Sequence, residues 1–98
     1  MISEQEAENL VKYHFSKLEI PDGDEWEVVT DETIRKDWGW VYFYTSKKWR
    51  ETGDLQYAIA GNAPLLVERE TGNIFATGTA LSVEHYIQNY ESTGNPNG

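Results

Sequence analysis

The sequence predicts a small α+β fold: a single domain over residues 1–91 with an antiparallel sheet of about four strands, flanked by an N-terminal and a C-terminal helix. Three observations carry that reading. Apolar residues recur at helical spacing near both ends of the chain. Between them lie runs dense in aromatic and β-branched residues. Those runs are separated by short stretches rich in Gly, Pro, Asn and Asp, the residues that punctuate strands.

Ser3 followed by Glu6 forms a capping-box pattern, and Ala7, Leu10, Val11, His14 and Leu18 then share one helical face. This predicts an amphipathic helix from Glu4 to Leu18, stopped by Ile20-Pro21-Asp22-Gly23-Asp24. Trp26 to Ile34 reads as a strand with Trp26 and Val28 on one face. Trp38 to Tyr44 is the strongest strand signal, apolar on both faces, and so belongs in the centre of the sheet with a helix covering one side. Ser46 to Asp54 reads as a polar loop, and Leu55 to Ala60 is ambiguous between a short helix and a turn. Pro64 to Glu70 and Asn73 to Thr77 flank Thr71-Gly72 and predict a hairpin. Gly78 suits a bulge or a close backbone approach. Ser82 caps a final helix whose stripe is Val83, Tyr86, Ile87 and Tyr90, and Gly94 ends it. Residues 92–98 read as a disordered tail.

A chain of 98 residues holds one core, and four Trp, six Tyr and three Phe give that core ample apolar surface. There is no Cys, so neither a disulfide nor a thiolate metal site is available. The N-terminus lacks the pattern of a secretion signal and no apolar stretch reaches membrane-spanning length, which makes a cytoplasmic protein without a membrane partner the expectation.

Seventeen acidic and eight basic residues give a net charge of −9. Such a surface repels phosphate backbones and argues against a nucleic-acid partner. The charge is uneven: Met1 to Ile34 holds ten acids and two lysines, Arg35 to Arg50 holds five basic residues and Asp37, and the remainder is acidic again. This is either general solubility or steering toward a basic protein partner.

The search for catalytic chemistry yields little. His14 and His85 lie on different predicted helices, and neither pairs at zinc-ligand spacing; His14 reads as a core histidine. A calcium loop starting at Asp22 needs Gly at its sixth position and Glu at its twelfth, where Glu27 and Thr33 stand instead. No phosphate-cradling glycine motif or nucleophile elbow is present. No catalytic residue, metal or cofactor is therefore expected. What remains is binding chemistry. The carboxylate run Glu19, Asp22, Asp24, Glu25, Glu27, Asp31 and Glu32 contains no basic residue, and Trp38, Trp49 and Arg50, with Glu51 and Asp54 beyond them, offer the side-chain types that dominate interface hot spots. Trp40, Tyr42 and Tyr44 have two readings, as core filling from one face of a strand or as part of that platform.

The segments Trp38-Gly39-Trp40-Val41-Tyr42-Phe43-Tyr44-Thr45-Ser46-Lys47, Gly61-Asn62-Ala63-Pro64-Leu65-Leu66-Val67, Thr71-Gly72, and Gly78-Thr79-Ala80 followed by Val83-Glu84-His85-Tyr86-Ile87 resemble the YrhB-like family, also described as immunity protein 35. The resemblance runs from Asp31 to Tyr90, with Ser82 standing where many relatives carry proline. It implies a small bacterial α+β protein, encoded beside a polymorphic toxin and neutralising it by stoichiometric binding. A chaperone-like activity has also been linked to the family, and a small carbohydrate-binding domain is the reading from another class. The resemblance carries over no catalytic residue. The expectation is thus a protein that is monomeric when free and binds a cognate toxin of basic character. Candidate contacts are Asp22, Asp24, Glu25, Glu27, Asp31, Glu32, Trp38, Trp49, Arg50, Glu51 and Asp54.

Overall fold

The computed structural model describes residues 1–17, 25–53, 64–78 and 81–97. Helix α1 spans Glu4–Phe15. Its capping box is formed as the sequence predicts: the Glu6 N–H donates to Ser3 Oγ at 3.1 Å and the Ser3 N–H to Glu6 Oε1 at 3.2 Å. The helix ends before the predicted Leu18, which, like the turn at Ile20 to Asp24, lies outside the described residues.

The segment read as one strand from Trp26 to Ile34 is two. Strand β1 covers Trp26–Val28 and β2 covers Ile34–Lys36, with a 3₁₀ turn at Thr30–Glu32 between them. The segment read as one strand from Trp38 to Tyr44 also divides, into β3 (Gly39–Tyr42) and β4 (Tyr44–Ser46). The cause is a register slip. Between the pairs Val28↔Tyr44 and Ile34↔Val41 one chain advances six residues and its partner three, and the surplus is taken up by the 3₁₀ turn. Beyond β4, the stretch expected to be a polar loop is helix α2, Lys47–Thr52, because Ser46 Oγ accepts the Trp49 N–H at 3.2 Å and caps it.

Strands β5 (Leu65–Glu68) and β6 (Ile74–Ala76) form the predicted hairpin, with Gly72 at φ 75° and its N–H donating to the Glu68 carbonyl at 2.9 Å. The ambiguous Leu55 to Ala60 and the Gly61-Asn62-Ala63 turn lie outside the described residues. The main sheet has the order β2-β3-β5-β6 with every neighbouring pair antiparallel, and β1 pairs with β4 in a second sheet of two strands.

Helix α3, Val83–Thr93, starts at Ser82 and stops at Gly94, both as predicted. It continues through Ser92 and Thr93, and the residues after it are held: Asn89 Nδ2 donates to the Pro96 carbonyl at 3.1 Å, Asn97 Nδ2 to the Ala76 carbonyl at 3.0 Å, and Pro96 is buried.

Alternation along the central strands separates two cores. Trp40, Tyr42, Leu65 and Val67 face α1, where Ala7, Val11 and Phe15 close over them. Val41 and Leu66 face the other way, onto Ile87 of α3, with Trp38, Phe75, Val83 and Tyr90 around them. Both faces of the sheet are therefore covered by a helix, where the sequence suggested one. The core-filling reading of Trp40 and Tyr42 holds, and Tyr44 packs half-buried at the edge of the same cluster, its ring 5.0 Å from that of Phe15. Gly78 makes the close approach expected of it, since a Cβ there would stand 2.5 Å from Tyr86 Oη.

Candidate functional site

Of the described acidic candidates, Glu25, Glu27 and Asp31 gather around β1. The Val29 N–H donates to the Phe43 carbonyl and the Lys47 N–H to the Glu25 carbonyl, each at 2.8 Å, so β1 is held as one arm of a ladder with β4. Beside it lies an open groove of about 620 Å³ with Phe15, Trp26 and Val28 as its apolar lining. Glu8, Lys12 and Ser16 from the flank of α1 form one wall, and Glu25, Glu27 and Arg50 complete the other. A smaller depression of about 320 Å³ adjoins it, lined by Glu27, Asp31, Thr45 and Arg50. Arg50 pairs with Glu27, which ties the last turn of α2 to the strand.

Glu25, Glu27, Asp31 and Arg50 are thus brought together. Glu32 is exposed on the 3₁₀ turn next to them, Glu51 is exposed on α2, and Trp49 is half-buried on the same helix. Glu19, Asp22, Asp24 and Asp54 lie outside the described residues. Trp38 lies apart, in a separate crevice with Asp37, Arg69 and Tyr90. Its ring stacks on Tyr90 with centroids 4.5 Å apart, and its Nε1–H donates to Glu91 Oε2 at 2.9 Å. Glu8 and Lys12 were not singled out by the sequence reading; their signal is the spacing Glu8, Lys12, Phe15, Ser16, which sets them along one edge of α1.

Two other charged contacts brace the surroundings. Arg35 on β2 grips Glu4 on α1 through Nε to Oε1 at 2.6 Å and Nη2 to Oε2 at 2.9 Å, and that hydrogen-bonded guanidinium holds the Glu4 carboxyl below its usual range. On the opposite side of the sheet, the Tyr90 hydroxyl donates to Glu68 Oε2 at 2.6 Å. This bond lowers the Glu68 carboxyl, while burial, followed by the bond to Glu68, pushes the Tyr90 phenol up to about 12. Because the folded Glu68 value is depressed, its stabilisation is full above the unfolded carboxylate range and is lost as pH falls through the folded value. Tyr90→Phe is expected to cost about 1–2 kcal/mol at pH 7 and much less in acid. Urea unfolding at both pH values checks this, and an equal cost at both would remove the assigned role.

His14 is half-buried on α1 and His85 exposed on α3. Among the described residues no three His, Asp or Glu side chains form a metal-binding group, and no helix is long and apolar enough to cross a membrane. What the groove offers chemically is an apolar floor between walls that carry Glu8 and Lys12 on one side and Glu25, Glu27 and Arg50 on the other.

Comparison with known proteins adds two findings. The family model described as immunity protein 35 matches residues 5–90. The uncharacterized protein YrhB of Escherichia coli (strain K12) is 40% identical over 53 residues, which are 54% of this chain and 56% of that protein. The match thus spans little more than half the length of that curated relative. No solved structure matches the chain.

Proposed function

The chain belongs to the immunity protein 35 family, and from that membership we propose that it binds a cognate bacterial toxin one to one and neutralises it. The family match is the observation that carries the reading. The groove beside β1 supports it with a surface of the right kind: an apolar floor, clustered carboxylates, and the half-buried Trp49 close by on α2. Acidic charge accelerates encounter with a basic toxin, and an aromatic anchor slows its release. In this reading the protein is cytoplasmic and monomeric until it meets its partner, and it acts by occupying the toxin without turning anything over.

The test is to express the toxin encoded beside this chain, with and without it, and to measure both rescue of growth and binding kinetics. Replacing Glu25, Asp31 and Glu32 together by amides is expected to slow association by about tenfold at low salt and to flatten its salt dependence. Trp49→Ala is expected to cost about 2 kcal/mol, mostly through faster dissociation. Weak, equal binding to several unrelated unfolded proteins, with no rescue from any toxin, would replace this reading with the chaperone one.

A further inference from the structure

Among the described residues, the hydrogen-bond pattern of β1 leaves one side of it unused. With Glu27 opposite Thr45, and with Glu25 and Val29 bonded to Lys47 and Phe43, the odd-numbered residues are the ones turned toward β4. The backbone N–H and C=O groups of Trp26 and Val28 therefore point the other way, and no described residue pairs with them. An unpaired strand edge is a template for another strand. The edges of the four-stranded sheet are blunted: β2 carries Arg35 and Lys36, and the Ala76 carbonyl of β6 is taken by Asn97 Nδ2 at 3.0 Å. Beside the open edge lies the groove between β1 and the flank of α1, where an added strand has room. The charged lining of that groove is Glu8, Glu25 and Glu27 against Lys12 and Arg50, with Glu27 and Arg50 paired to each other.

We infer that β1 receives an extended, basic segment of the partner protein as an added antiparallel or parallel strand, its backbone paired with Trp26 and Val28 and its cationic side chains set against Glu8 and Glu25. Backbone pairing supplies affinity that is indifferent to sequence, and the alternating side chains supply the selectivity. The inference rests on the toxin-binding reading above and names the contact by which that binding is made.

Amide hydrogen exchange followed by NMR tests it residue by residue. In the chain alone the Trp26 and Val28 amides exchange freely; in the toxin complex they slow by about tenfold or more, while Val29, already bonded to Phe43, changes little. A synthetic peptide of alternating Val and Arg serves as a second probe, with an N-methylated version as control. Val28→Pro removes the outward donor without touching the ladder to β4 and is expected to weaken toxin binding about tenfold with the fold intact. A toxin complex that leaves both amides unprotected overturns the inference and leaves neutralisation standing. Protection by the peptide with no toxin complex keeps the edge site and overturns neutralisation. Protection by neither probe, or protection that rises with the concentration of the chain alone, overturns the partner-strand inference, the latter in favour of pairing between two copies.

Discussion

Gly39→Ala is expected to remove a large part of this protein's folding stability. Gly39 opens the central strand β3, paired with Lys36 on one side and Glu68 on the other, and is buried. A Cβ there would fall far inside contact with the Val67 carbonyl oxygen and stand 3.2 Å from the Arg69 nitrogen. These are backbone atoms of β5, so relief requires the sheet itself to part. Strain of this kind costs about 3 kcal/mol or more, against a total stability of about 5–15 kcal/mol for a domain, with small domains toward the low end. Gly53→Ala is the matched control. Gly53 also has positive φ, at 67°, but a Cβ there meets nothing within 4 Å among the described residues, so its expected cost is about 1 kcal/mol. Urea unfolding with amide NMR dispersion measures both, and a Gly39→Ala protein as stable as the Gly53→Ala one would refute the steric account.

Trp40→Ala should be comparably damaging for the opposite reason. Trp40 is 3% exposed and sits among Ala7, Val11 and Phe15 of α1 and Leu65 and Val67 of β5. Deleting the indole opens a void that helix and sheet cannot both collapse into, at a cost of about 3–5 kcal/mol. A further loss comes from the Arg69 guanidinium, 4.9 Å from the ring centroid, whose Nε is buried without a hydrogen-bond partner and leans on the ring face instead. Trp40→Phe keeps a ring under the guanidinium and is expected to recover more than half of the loss. If Trp40→Ala shifts the unfolding free energy by less than about 1 kcal/mol, the α1-side cluster is not the principal core.

How much of this was legible from residues alone depended on whether the signal was local. The capping box at Ser3 and Glu6, the Ser82 and Gly94 boundaries of α3 and the β5–β6 hairpin are each specified within a few residues, and each reads correctly. Helix α2 does not, because six residues are too few for apolar periodicity to register, and its cap, Ser46, lies at the end of a strand. The division of Trp26 to Ile34 into two strands is invisible for another reason. Both halves alternate as one strand would, and only pairing with the opposite chain shows that three residues are surplus. The same limit applies to the candidate site. The carboxylates near β1 stand out in the linear charge pattern, but Glu8 and Lys12 join them only once α1 is laid beside that strand.

The surplus turn at Thr30–Glu32 has an evolutionary corollary. Short surface connections tolerate changes of length because closing a slightly longer loop adds little entropy. Here the connection joins two ladders whose registers are set independently, one by β4 and one by β3. Residues gained or lost between Val29 and Thr33 alter neither set of pairs. Asp31 and Glu32 ride on that stretch. A lineage can therefore remodel the acidic crest by insertion or deletion as well as by substitution, while the sheet beneath keeps folding as before.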